Sequence, residues 1–362
     1  MPLLIGFDAQ ATRGKLTGLG TYTSRLLEAL KQEIAAPLEL CVLSQERSRV
    51  KDLNTLERLG WENWTLPLLA KKNKVDILHV PAFAPAFRKP CKLVVTVHDI
   101  AGMLFSNQIG KPSSFYWGRW LPFVIKQADR IIADSEYTKK DLIGHLKINE
   151  NIIRVVYPSG HEAFSAQIPL TKVTEAKRTV GINGRYFLFV GTLEPRKNLG
   201  RILDAFRIFL NSNPEYQLIL VGSKEFAHGR YSEILANKHV LGSHSIIAPG
   251  YLDPDSLNAL YCGAEALVFP SLYEGFGIPI LEAMASGCPV ITSDSTSTPE
   301  VAGDAGMLVC PYDTAAIANA MKRVTSDPVL CRELRKKGFE QIKKFSWRKT
   351  ARETIEVYKE LL

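Results

Sequence analysis

Two carboxylates and two cations stand out by type and spacing. Glu274 and Glu282 have seven residues between them in Tyr273-Glu274-Gly275-Phe276-Gly277-Ile278-Pro279-Ile280-Leu281-Glu282, and Arg196-Lys197 stands in Val190-Gly191-Thr192-Leu193-Glu194-Pro195-Arg196-Lys197-Asn198. The apolar run 266–269 reads as a strand feeding a glycine-bearing loop and then a short helix. Pro279 suits the first helical turn, where its missing N–H has no partner to lose. Gly287 suits the position just past the helix end. Amides around Phe276 to Ile278 then form an anion site at a helix N-terminus. Carboxylates for hydroxyls beside amides for phosphate fit a sugar nucleotide, with hydroxyls at both ends and the diphosphate between. Arginine offers phosphate two parallel donors and lysine a point charge. Arg196-Lys197, just beyond the strand-like run 186–190, can therefore stabilise charge on a departing diphosphate. A divalent ion held by an Asp-x-Asp pair could do the same. Asp253-Pro254-Asp255 is such a pair, but it opens a helical run, where Asp is a common cap. No metal is expected there.

The elements that must position these residues alternate between strand and helix, which implies parallel sheets with helices on each face. Strand-like runs are 3–7, 38–43, 77–80, 93–97, 130–133 and 152–156, then 186–190, 217–221, 245–248, 266–269 and 290–292. Helix-like runs are 19–33, 114–127, 136–145, 198–211 and 254–262, with a helical tail 329–362 broken at Phe345-Ser346. Residues 166–185 lack periodicity and read as a linker. The expectation is an α/β chain of two Rossmann-like domains, 1–165 with 347–362, and 186–346, facing across a cleft. Ligands of open parallel sheets bind beyond the carboxyl ends of the strands, and each motif follows such an end. His98-Asp99 ends run 93–97, Gly250-Tyr251-Leu252-Asp253 follows run 245–248, and Gly18-Leu19-Gly20 opens the helix 19–33. Amides at Gly18 and Gly20 could approach phosphate or acceptor. Gly18-x-Gly20-x-x-Thr23 is a poor dinucleotide fingerprint. Its third glycine is missing and no acid ends the second strand, so a dehydrogenase is set aside.

The Glu274 to Glu282 stretch resembles the E-x7-E signature of the retaining glycosyltransferases of family 4, which have the GT-B fold. Val190 to Asn198, Val97-His98-Asp99, Ala133-Asp134-Ser135 and Phe345-Ser346-Trp347 match family patterns in order. The resemblance implies that Arg196 and Lys197 contact the donor diphosphate and that Glu282 accepts hydrogen bonds from ribose hydroxyls. It implies that Glu274 and His98 face the transferred sugar, with Gly275, Phe276, Gly277 and Ile278 at the donor. Backbone groups at Tyr251 and Leu252 would pair with the base, which leaves guanine and uracil undistinguished. Asp99 would orient the His98 ring or contact the acceptor. The final helix would cross back onto the N-terminal domain. Reaction would occur on one face of the sugar, the leaving phosphate oxygen taking the acceptor proton, with no cofactor and no metal. Val97-His98-Asp99 and Glu194 to Lys197 read most like bacterial mannosyltransferases of surface-polysaccharide synthesis. GDP-mannose is therefore the first donor and a UDP-hexose the next, with a saccharide or lipid-linked acceptor. The rival readings are an epimerase or phosphorylase on the same fold, and a sugar-nucleotide-binding scaffold. Intact Arg196, Lys197, Glu274 and Glu282 argue against the scaffold.

Bulk properties agree with a soluble two-domain enzyme. The chain has 362 residues, 46% hydrophobic and 23% charged, as globular proteins do. No apolar run reaches the roughly 18 residues of a membrane span, and residues 3–7 are too short for a leader. A cytoplasmic protein is expected. Six scattered cysteines read as reduced thiols without metal-ligand spacing. Residues 1–180 hold 25 Lys and Arg against 17 Asp and Glu, an excess of +8, whereas residues 181–362 hold 20 of each. Such a half suits peripheral contact with anionic lipid at the inner membrane face, or an anionic acceptor, rather than nucleic acid. Aromatic and basic residues mix in 111–122, and Trp61 and Trp64 form a second aromatic spot. They suit a membrane interface or a helix packed by its aromatic side.

Overall fold

The computed structural model describes residues 2–13, 18–44, 55–82, 89–104, 115–160, 162–222 and 245–362. The chain divides into two compact units, Met1–Pro158 with Phe345–Leu362, and Ser159–Lys344. The first unit carries β1 (Leu3–Asp8), β2 (Leu38–Leu43), β3 (Ile77–Val80), β4 (Lys92–Val97), β5 (Arg130–Ala133) and β6 (Ile153–Val155). These six strands are parallel, in the order β2-β1-β3-β4-β5-β6. The second unit carries β7 (Arg185–Val190), β8 (Tyr216–Val221), β9 (Ile246–Gly250), β10 (Leu267–Phe269), β11 (Val290–Ser293) and β12 (Gly306–Val309). They too are parallel, ordered β12-β11-β10-β7-β8-β9.

In the second sheet the chain builds outward one way from β7 and then the other way from β10. Strand order reverses between them, and it is at the carboxyl ends beside such a reversal that open parallel sheets bind ligands. In the first sheet the same reversal falls between β1 and β3. Helices on both faces bury the central strands, and β8 is buried along its whole length. This is why such strands read as unbroken apolar runs rather than alternations. β12 was not foreseen. It is a short edge strand that begins on glycine, with only Val309 buried.

The helix Trp347–Lys359 belongs to the first unit. Trp347, Ala351, Ile355 and Tyr358 fall on one face and enter the core that holds Ile5, Phe7, Leu26 and Leu30. Ser346 accepts a hydrogen bond from the Lys349 amide at 3.2 Å, which explains the break read at Phe345-Ser346. Glu33 bridges the Nε atoms of Arg348 and Arg352, both at 2.6 Å.

The linker expectation for 166–185 is corrected, because Leu170–Val180 is a helix within the second unit. Val173 is its single buried residue, so no apolar stripe marked it in the sequence. The helix stops at Gly181, whose φ of 83° is left-handed. The aromatic segments divide between surface and interior. Residues 111–114 lie outside the described residues. Trp61 and Tyr116 are buried, whereas Trp64, Phe115 and Phe123 are exposed.

Candidate active site

The turn after β7 is tied down by glycine geometry and one asparagine. Gly222 has φ 144°, and a Cβ there would lie 2.0 Å from the Gly191 carbonyl oxygen. Only glycine lets the ends of β7 and β8 run this close. The turn Pro195–Lys197 is a single 3₁₀ turn, and Asn198 beyond it is left-handed at φ 63°. Asn198 is buried, and its Nδ2 donates to the Pro270 carbonyl at 2.9 Å and the Pro311 carbonyl at 2.6 Å. The turn is thereby pinned to the loops that follow β10 and β12. The Leu272 amide also donates to the Arg196 carbonyl at 2.8 Å.

That pinning brings the cations to the E-x7-E loop. Lys197 Nζ donates to Glu274 Oε1 at 2.6 Å, and Arg196 Nη1 to Glu274 Oε2 at 3.1 Å. Arg196 Nε also pairs with Glu194 Oε2 at 2.6 Å. Lys197 and Glu274 are both buried, 8% and 5% exposed, so this pair forms away from bulk water. Burial pushes the Glu274 carboxyl up, but the charges of Lys197 and Arg196 outweigh it and hold it below the ordinary range. Burial draws the Lys197 ammonium below its ordinary value, against the pull of Glu274. The loop itself is braced by Ser297, whose Oγ lies 2.9 Å from the carbonyl oxygens of both Glu274 and Phe276.

The helix Ile278–Ala285 follows, entered through Gly277 at φ 108°. Pro279 occupies its first turn, and no side chain caps its N-terminus. Gly275, Phe276 and Gly277 are buried, and Ile278 is partly so. Glu282 lies about one turn into the helix and accepts from the Tyr261 hydroxyl at 3.3 Å. Burial pushes its carboxyl up to about 7, with the Tyr261 bond pulling slightly the other way. Tyr251 is exposed and Leu252 half-buried, just past β9. Asp253 accepts from the Ser256 amide at 3.0 Å and the Ser256 hydroxyl at 2.7 Å, so its carboxylate serves as a helix cap. Among the described residues, no three or more His, Cys, Asp or Glu side chains gather as a metal site would need.

The remaining candidates belong to the first unit. His98 follows β4, with Nδ1 at 2.6 Å from Asp134 Oδ2 and Nε2 at 2.7 Å from the Pro81 carbonyl oxygen. Asp99 accepts from the Ala101 amide at 2.8 Å and caps the next turn. Asp134, not Asp99, orients the His98 ring. Gly18 is the exposed first residue of the helix Gly18–Glu33, and Gly20 is buried within it. A Cβ on Gly18 would meet nothing within 4 Å, so the described packing does not require glycine there. Sequence reasoning passed over Asn198, Asp134, Tyr261 and Ser297. Asn198 and Asp134 stood inside the matched motifs, and the other two carried no local signal.

Comparison with known proteins identifies the family and the fold. The model of glycosyl transferases group 1 matches residues 173–341, and that of glycosyltransferase family 4 matches residues 17–159. The O-antigen chain mannosyltransferase B of Escherichia coli is 31% identical over 281 residues, which is 76% of this chain and 73% of that protein. The serotype-specific mannosyltransferase WbdA of Escherichia coli is 30% identical over 283 residues, 77% of this chain but 34% of WbdA. This chain thus spans about a third of WbdA. A solved sucrose-phosphate synthase from Thermosynechococcus elongatus superposes with a TM-score of 0.76 at 20% identity, covering 99% of each chain. The fold is GT-B. The chain belongs to the group 1 and family 4 glycosyltransferases.

Proposed function

We propose that this chain is a retaining hexosyltransferase that needs no metal and moves mannose from GDP-mannose to a saccharide or lipid-linked acceptor. The observation that carries the reading is the convergence of Arg196, Lys197 and Glu274 where the second sheet reverses its strand order. The relatives named as mannosyltransferases support the sugar. A leaving diphosphate gains negative charge as the glycosidic bond breaks, and Arg196 and Lys197 supply preorganised positive charge in a partly dry setting. The uncapped N-terminus of the 278–285 helix adds amide donors for phosphate. Glu274 neutralises the two cations before the donor arrives and accepts sugar hydroxyls once the diphosphate has taken them over. Glu282 holds the ribose hydroxyls, and backbone groups at Tyr251 and Leu252 meet the base. Amides at Gly18 and Gly20, in the N-terminal unit, are offered to donor phosphate or acceptor.

Purified protein incubated with radiolabelled GDP- and UDP-sugars without acceptor tests this reading. Slow release of free mannose from GDP-mannose, unchanged by EDTA, is expected. Epimer formation, binding without turnover, or EDTA inhibition reversed by Mg²⁺ or Mn²⁺ would each overturn it in a different respect.

A further inference from the structure

We infer that Asp134 and the Pro81 carbonyl hold His98 as a doubly protonated imidazolium, which makes Asp134 a positioning residue and removes His98 from service as a proton acceptor. The two ring nitrogens lie 2.6 Å from a carboxylate oxygen and 2.7 Å from a backbone carbonyl oxygen. Both partners are acceptors, and the carbonyl has no proton to give. A neutral imidazole carries one N–H, so against a carboxylate and a carbonyl one of these contacts would set two lone pairs against each other. The doubly protonated ring satisfies both.

The groups packed around the ring agree. Asp134 is 4% exposed, and its Oδ1 has no hydrogen-bond partner among the described residues. Its charge is therefore answered at Oδ2, by His98. Asp99 adds negative charge from the adjacent position. His79, on β3, is kept neutral because burial lowers it to about 3, with the His98 charge acting the same way. The Tyr22 ring, from the 18–33 helix, meets His98 edge-on at 4.5 Å between centroids, and burial keeps its hydroxyl protonated. The Thr138 hydroxyl donates to the His98 carbonyl at 3.2 Å. Burial by itself would lower His98, but Asp134 above all, with Pro81 and Asp99, turns the direction upward. The stability this pair contributes is full below the ordinary histidine range and is lost as pH rises through the elevated value.

A mechanistic consequence follows, and it rests on the transferase reading, whereas the protonation state does not. His98 cannot take the acceptor proton, so that proton leaves by another route, such as the departing phosphate oxygen.

The test is ¹H–¹⁵N NMR of the full chain labelled at its seven histidines, with His98 identified by the signals lost in His98→Gln. Both His98 nitrogens are expected at protonated-type shifts at about pH 7.5, above the ordinary histidine value. In Asp134→Asn the His98 titration should fall by about one unit or more. A lone-pair nitrogen on wild-type His98 at that pH overturns the inference, whether or not Asp134→Asn folds. If the transferase reading also holds, kcat/KM of Asp134→Asn should drop with rising pH and recover in acid, since each unit above the lowered value removes about tenfold of the cation. An Asp134→Asn profile parallel to wild type would deny Asp134 its role.

Discussion

In the proposed reading, Lys197 is the side chain on which the chemistry most depends. It is buried, it pairs with Glu274 at 2.6 Å, and its ammonium also faces the Phe269 ring at 4.9 Å. Lys197→Ala should lower turnover by about 100-fold or more, as for loss of a charge-stabilising donor. Steady-state kinetics on a variant shown by melting to be folded decides this. Turnover within about threefold of wild type would remove Lys197 from the mechanism. Glu282 gives a separate prediction. Its carboxyl is raised to about 7 by burial, and in the proposed reading it is the ionised form that accepts bonds from the ribose hydroxyls. The donor KM should therefore rise as pH falls below about 7, by about tenfold per unit at the limit. Glu282→Gln should abolish that slope. A KM flat from about pH 5 to 8 in wild type would separate Glu282 from donor binding.

At the scale of elements, the 347–359 helix is held chiefly by its apolar face. Trp347 is 4% exposed, and its ring meets Tyr22 with centroids 5.6 Å apart. Trp347→Ala should destabilise the first unit by about 3–5 kcal/mol, the usual loss for a buried large aromatic. Denaturant unfolding measures it, and a loss below about 1 kcal/mol would mean that the helix is held by its ion pairs instead. Most elements were legible in the sequence, because buried parallel strands and amphipathic helices write apolar runs and stripes directly into it. The elements that escaped are those with little burial. The 170–180 helix buries one side chain, and β12 is an edge strand with three of four residues at least partly exposed. The roles of Glu274 and Arg196-Lys197 were proposed from residue types, but the bonds between them were not legible.

At the scale of the whole molecule, the basic excess of residues 1–180 meets exposed apolar side chains in the same half, with Trp64 66%, Leu68 66%, Phe115 59% and Phe123 51% exposed. Lys71, Lys72, Arg119 and Lys126 are exposed near them in sequence. Among the described residues no helix is long and apolar enough to cross a membrane. The protein should bind vesicles containing anionic lipid and release them as salt is raised past the screening range of about 0.1–0.15 M. Co-sedimentation tests this, and Trp64→Ser with Phe115→Ser should weaken binding at low salt. No binding at low ionic strength would leave the charge bias without a membrane role.

The amino-acid sequence by itself determined the alternation of strand and helix, the division into two α/β units, and the residue types that sit just beyond strand ends. These follow from local rules: apolar runs, glycine and proline at turns, and charged groups where a helix begins. Only the tertiary structure decided that Lys197 pairs with a glutamate 77 positions away, that Asn198 ties three loops together, and that Asp134 rather than Asp99 orients His98. Those contacts depend on which strands lie side by side. β7 neighbours β10 because of long-range strand pairing across the helices between them, and no local periodicity encodes that order.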